Sequence, residues 1–306
     1  MPNRARFRAT SRRRTLTGLA FASPWLAGFA LMTAVPLLST AYFSLTDYGL
    51  FDAPKWIGAT NYEELARDPR FRTGAINTLY LTVVGVPLAL GLALLIALAL
   101  NRPIRGRPLW RAAVYLPTLV PVVVATYVWR WLLNGQYGYV NILLGKIGLG
   151  TPEWLKDPAW TKPAIIIMGL WTVGGTTVIY LAALGQVPQE LYEAASIDGA
   201  GPLRRFRHVT WPVISPVTLF QLVVGVIVSL QLFTQPYLLA QDTRLNTSSG
   251  GPADSLLTYP MYLFQTAFVY LRMGYASAQA LVLFMVTVAF TAIIIKTSRR
   301  WVHYDQ

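Results

Sequence analysis

Six stretches of this chain run for 18 to 33 residues without a charged side chain: Thr15–Thr46, Thr73–Asn101, Ala112–Trp129, Pro163–Gln189, Val209–Gln241 and Met273–Ile295. A bilayer's hydrocarbon layer is about 30 Å thick, so a spanning helix needs ~20 apolar residues in a row. Composition agrees, with apolar types at 54% and charged types at 13%, against roughly 25% charged in a soluble chain. That is too little charge to coat a water-soluble sphere of 34.0 kDa. An all-α membrane protein with six transmembrane helices is expected. A seventh run, Ser255–Leu271, has 17 residues with Pro260 at its centre and polar Thr258, Gln265 and Thr266. Its pattern predicts an interfacial or amphipathic helix rather than a span.

Charge placement sets the expected orientation. The N-terminal tail, the loops near residues 105 and 200 and the C-terminal tail together hold sixteen Lys and Arg against four acids. The alternate loops hold nine of each sign, and Arg130 remains at the end of the third run. Cation-rich loops stay in the cytoplasm, which places both termini inside. Counting Ser255–Leu271 as a span would send the cationic C-terminus outside. The net charge of +13 therefore encodes topology rather than nucleic-acid affinity. The expected layout is a basic tail over 1–14 and one membrane domain over 15–306. Its spans fall near 16–46, 73–100, 109–133, 163–185, 211–240 and 274–296, with a cytoplasmic loop at 186–210 and external loops at 47–72, 134–162 and 241–273. The arginine-rich start and Ser11-Arg12-Arg13 invite a signal-peptide reading. The apolar stretch that follows is far longer than a signal's 7–15 residues, so an uncleaved first span is expected.

Several chemistries lack their residues. The chain has no cysteine and only His208 and His303, which removes thiolate and imidazole metal centres and a cysteine nucleophile. A phosphate-cradling G-x-x-x-x-G-K-[ST] loop is absent, since Gly145-Lys146 is followed by Ile147. No charged residue sits mid-run, whereas proton-driven carriers and pumps use intramembrane ionisable groups. A self-contained secondary carrier should also show internal repeats, and none is visible. Energy is expected to come from a partner.

The segment after the fourth run is dense in signals. Pro188 ends that run, and Gln189–Asp198 reads as a short helix with Glu190 and Glu193 near its positive end. Ala194 and Ala195 leave one face nearly bare, so another protein's surface can approach closely, and Glu193 adds a directional charge beside it. Gly199 suits a left-handed C-cap. Pro202 suits the first position of a second helix that presents Arg204, Arg205 and Arg207.

This loop resembles the motif E-A-A-x3-G-x9-I-x-L-P of binding-protein-dependent ABC import permeases. The chain supplies Glu193-Ala194-Ala195, Gly199 and Val209-x-Trp211-Pro212 with every spacing kept, and departs by Val for Ile and Trp for Leu. The likeness extends from about Ser23 to Arg300 and is nearest the first permease of the carbohydrate and glycerol-phosphate (maltose-type) branch. Supporting stretches are Ser44–Tyr48, Trp56–Gly58, Asn61-Tyr62, Asp68–Phe71, Asn77–Leu79, Trp129–Asn134, Gly250–Pro252 and Gly274–Ala278. The resemblance implies a type I ABC importer permease fold in the bacterial inner membrane, and a coupling helix that docks on a cytoplasmic ATPase. It implies that Glu190, Glu193, Ala194, Ala195, Asp198, Gly199, Arg204 and Arg205 serve that coupling. The implied partners are a second permease subunit, two ATPase subunits that bind the ATP and Mg, and an extracytoplasmic substrate-binding protein. No cofactor on this chain and no nucleic acid is implied.

Sugars are held by aromatic stacking and hydrogen bonds, so residues of those kinds at mid-depth mark a candidate path. Trp171 and Thr172 precede Gly174-Gly175, which either open a gap or permit a tight helix crossing. Ser229, Gln231, Phe233 and Gln235 follow in the fifth run, where Gln231 and Gln235 lie four apart and would share a helix face before a kink at Pro236. The cargo expected is a sugar or oligosaccharide; glycerol-3-phosphate or a related phosphodiester or osmolyte is the alternative.

Overall fold

A computed structural model describes residues 4–241 and 250–303, with side chains described from residue 17 onward. Asp242, Arg244, Asp305 and the side chains of the N-terminal arginines lie outside the described residues. Four helices are long and apolar enough to cross a membrane: Thr17–Phe43, Pro69–Asn101, Pro202–Ala240 and Met273–Ser298. Two bent pairs, Arg107–Leu119 with Val122–Leu132 at 99° and Pro158–Trp171 with Gly174–Leu184 at 48°, raise the number to six when each pair is one span. They are called spans one to six below, in chain order.

Proline decides where these helices bend. Ahead of Pro121, Val120 is extended (φ −76°, ψ 125°) and breaks span three, because a residue before proline is pushed out of the helical region. Elsewhere proline is absorbed. One π turn covers Ala30–Ala34, another Leu81–Gly85, and a third Phe206–Thr210. Each lies just before a proline: Pro36, Pro87 and Pro212. A widened turn relieves the clash between the ring and the carbonyl four residues back, and so keeps the backbone satisfied inside a span.

Two expectations change here. Gln231 and Gln235 do not share a helix face, because the helix ends at Leu230 and restarts over Thr234–Ala240. Phe233 (φ −124°) lies between them outside the helical region. Pro236 is not the kink; it occupies the first turn of the restarted helix, where its missing N–H costs no bond. Likewise, the second helix of the cytoplasmic loop is not separate. Pro202–Arg205 runs through the π turn into Trp211–Leu230, since no breaker intervenes and the π turn accommodates Pro212.

The chain divides into two compact units. The first comprises Met1–Leu65 and Thr266–Val282. In it a two-residue antiparallel ladder pairs Thr46 with Trp56 and Asp47 with Lys55. Buried Asn61 donates to the carbonyls of Ser44 and Thr46, each at 2.9 Å, and Arg272 grips Glu64 with two 2.6 Å bonds.

The second unit comprises Ala66–Gln265 and Leu283–Gln306. Its first core joins Leu81, Ala164, Met168, Leu256, Leu257 and Met261. Another packs Ala93, Ala97, Tyr180, Leu184 and Ile214, where the small residues of span two let span four approach closely. A third, smaller cluster brings Val86, Val226 and Leu230 against Leu283 and Phe290 of span six.

The Ser255–Leu271 run is buried over most of its first part, whereas Phe268, Val269 and Tyr270 near its end are exposed. Helix Tyr259–Phe264, continued by a π turn over Gln265–Val269, is its only helical part. Leu256, Leu257, Met261 and Tyr262 are buried, and burial pushes the Tyr259 phenol well above its usual pKa range. Two of its polar residues have protein partners in place of water: Thr258 donates to the Leu232 carbonyl at 3.0 Å and Gln265 accepts from Arg70 at 3.3 Å. A polar pattern reads the same whether water or protein satisfies it, so the sequence did not separate the buried part of the run from its exposed end.

Candidate functional site

The cytoplasmic loop is built around one glycine. Helix Gln189–Ile197 ends at Asp198, and Gly199 follows with φ +71°. The Gly199 N–H donates to the Ser196 carbonyl at 3.1 Å and the Ala200 N–H to the Ala195 carbonyl at 2.9 Å. This is the paired 5→2 and 6→1 closure of a Schellman turn. Asp198 also donates its N–H to the Ala194 carbonyl at 3.0 Å, so the Glu-Ala-Ala segment supplies the acceptors that close its own helix. Ala194 is exposed and Ala195 half-buried, while Glu190 and Glu193 face solvent, Glu193 accepting only from Gln189 at 3.0 Å.

Arg204 and Arg205, alike in sequence, separate in the structure. Arg204 is exposed. Arg205 folds back, its Nε donating to the Ala200 carbonyl at 2.7 Å and its Nη2 to Ser196 Oγ at 3.2 Å. It thereby bolts the start of span five to the end of the short helix. Tyr192 adds a second bolt, 2.8 Å from Thr210 Oγ1. Sequence reasoning missed the loop's most prominent surface, Ile197 at 88% and Leu203 at 80% exposed, with Leu191 also exposed. Its signal was available: large apolar side chains inside an otherwise charged extramembrane loop.

Two cavities lie among spans two to five. One, of ≈ 360 Å³, is lined by spans two, four and five, with Thr172, Thr176, Gln221, Ser229 and Gln235 as its polar members. The other, of ≈ 370 Å³, is lined by Thr118, Val120 and Trp129 of span three together with Met168, Thr172 and Gln235. Thr172 and Gln235 line both, and each sits beside a helix break. Among the described residues, no Lys, Arg, Asp or Glu lines either.

Of the residues chosen from sequence, Thr172, Ser229 and Gln235 are therefore brought together. The other three are not. Trp171 is 37% exposed and meets Trp129 edge-on at 6.0 Å, while Gln231 lines neither cavity. Phe233 stacks on Tyr237 at 5.0 Å and packs against Phe264. Gly174 proves to be a tight crossing, since a Cβ there would lie 2.2 Å from the Val114 carbonyl oxygen of span three.

Several of the short stretches quoted above act as polar clamps in the second unit. Asp68 caps the helix that begins at Pro69, accepting from the N–H groups of Arg70 and Phe71. Asn77 holds the carbonyls of Asp254 and Leu257 at 2.9 and 3.0 Å, and Thr78 accepts from the Tyr259 N–H at 2.8 Å. Arg130 donates to the Leu238 and Gln241 carbonyls, which discharges the end of helix Thr234–Ala240 and accounts for a cation at the margin of span three.

Bent membrane-length spans around cavities that no charged side chain lines, with a loop helix closed by a left-handed glycine, suit the transmembrane subunit of a transport system. The chain belongs to the family of binding-protein-dependent transport system inner membrane components, whose profile matches residues 85–303. It is 38% identical to the probable ABC transporter permease protein YesP of Bacillus subtilis, covering 96% of this chain and 94% of that protein. It is 33% identical to the sulfoquinovosyl glycerol transport system permease protein SmoG of Agrobacterium fabrum, over 86% and 83% of the two chains. A chain in the crystal structure of a bacterial ABC transporter involved in the import of the acidic polysaccharide alginate superposes with a TM-score of 0.80, over 95% of this chain and 98% of that one. At 24% identity that likeness carries the fold, an ABC importer permease fold.

Proposed function

We propose that this chain is the membrane-spanning permease subunit of an ATP-driven importer that takes up a sugar or oligosaccharide from an extracytoplasmic binding protein. The observation that carries the coupling half is the Schellman-closed loop helix, flanked by exposed Ile197 and Leu203. Exposed apolar residues around small ones on a rigid, charge-edged helix suit insertion into a groove of another protein. That protein is the ATPase, which holds ATP and Mg; this chain has no nucleotide site of its own. A second permease subunit completes the path and a second ATPase copy completes the engine, with both termini of this chain cytoplasmic. The carbohydrate half is supported by the likeness to the sulfoquinovosyl glycerol permease SmoG and by the hydroxyl and amide groups, Thr172, Ser229 and Gln235 among them, set in the otherwise apolar lining of the cavities.

Affinity purification of the full chain from its own membranes tests the assembly. A second permease and an ATPase should copurify, and reconstituted vesicles should take up sugar only with ATP and the binding protein present. Purification of the chain alone, with uptake independent of ATP, would remove the importer reading in favour of a self-contained carrier.

A further inference from the structure

One apolar surface lies outside all of this, on the loop between spans three and four. Helix Tyr139–Lys146 is held rigidly along one side. Buried Asn141 donates to the carbonyls of Gly135 and Pro152, both at 3.0 Å, and accepts from Trp154 Nε1 at 2.8 Å. The opposite side is exposed and apolar: Tyr139, Ile142, Leu143 and, just past the helix end, Ile147, which is 71% exposed. Their spacing of three, four and eight residues from Tyr139 puts them on one stripe.

We propose that this helix is a membrane-surface anchor whose apolar stripe sits in the headgroup–acyl boundary of the bilayer. Three observations favour lipid over protein. Val124, Tyr127, Val128 and Trp131 form the same kind of exposed stripe on the second half of span three. The link between the two helices is a tight turn, with the Gly138 N–H bonded to the Asn134 carbonyl at 2.9 Å. The anchor stripe therefore begins where the exposed apolar stripe of a span ends. Tyr137, Tyr139 and Trp131, all exposed, match the aromatic types that gather at membrane interfaces. The helix has no acid, and its one charge, Lys146 in the last turn, suits the helix dipole and lets a long stem reach from the apolar boundary to water. The effect of such an anchor is to fix the ends of spans three and four, the two spans bent most sharply.

The absence of cysteine allows a direct test. Leu143→Cys and Ile147→Cys, each labelled with an environment-sensitive fluorophore, are purified as full chains with any copurifying subunits. They are reconstituted in vesicles of phosphatidylethanolamine and phosphatidylglycerol, with and without lipids bearing a nitroxide high on the acyl chain. Both labels should lose most of their emission to the nitroxide lipid, while a label at Lys156→Cys, an exposed polar position, keeps its own. Ile142→Cys, on the same stripe, repeats the measurement where either variant expresses poorly. Unquenched emission at 143 and 147 overturns the proposal: blue-shifted, it means that a protein covers the stripe; red-shifted, that water does. The inference rests on the membrane location alone, so loss of the sugar assignment leaves it standing.

Discussion

Single residues shape the loop proposed to couple to the ATPase, and each has its own contacts. Gly199 adopts φ +71° with open space around the position a Cβ would take, so its constraint is conformational and not steric. Gly199→Asn, a residue that tolerates the left-handed region, should retain most uptake. Gly199→Val should abolish it by re-aiming the short helix, with membrane insertion unchanged; immunoblots of membranes beside uptake assays check this, and equal uptake in the two variants would sink it. Glu193→Lys leaves the fold intact, since its carboxylate bonds only Gln189. Reversing a charge at a buried interface costs ~2–5 kcal/mol, so ATPase copurification should fall at least tenfold. Arg205 is a positioning residue: Arg205→Ala should weaken coupling of ATP hydrolysis to uptake while normal amounts of ATPase still bind. Arg204→Ala, which loses no bond within the chain, should instead lower ATPase binding.

Helices broken at defined points are the next level, and their packing yields sharper contrasts than sequence could. Gly174 and Gly175 are adjacent, yet only Gly174 abuts span three, and nothing lies within 4 Å of a Cβ at Gly175. Gly174→Ala should destabilise by ~1–3 kcal/mol, the usual cost of overpacking, read as a lower melting temperature of the purified chain. Gly175→Ala should melt near the parent. The cavities shift the candidate path residues in the same way. Gln235→Ala, and Thr172→Val with its hydroxyl removed, should change the apparent affinity for transported sugar, whereas Gln231→Ala and Trp171→Ala should leave it close to the parent value. Uptake kinetics decide: an unchanged Gln235→Ala beside an altered Gln231→Ala would reverse the assignment.

For the whole molecule, the remaining expectation is orientation. Ser298 is buried at the end of span six, so the exposed Arg300 is the better reporter. Arg300→Cys in this cysteine-free chain should be labelled by an impermeant thiol reagent only after the cells are opened. Labelling in intact spheroplasts would place the C-terminus outside and overturn the six-span topology drawn from loop charge. The same charge rule applies to the loop near residue 105, whose cations Arg102, Arg105 and Arg107 stand at the ends of spans two and three.

By itself the sequence determined what hydrophobic length, charge and local backbone chemistry can express. Charge-free runs announced membrane helices because an ion in hydrocarbon is costly, and Gly199 after Glu193-Ala194-Ala195 announced the helix-closing turn because a left-handed cap needs glycine. Tertiary structure alone decided what depends on neighbours far along the chain. It separated Gln235 from Gln231 by breaking span five between them, turned Arg205 inward and left Arg204 outward, and buried the first part of the Ser255–Leu271 run against partners for Thr258 and Gln265. In each case the local residues permit two outcomes of similar energy, and a packed neighbour or a distant carbonyl selects one.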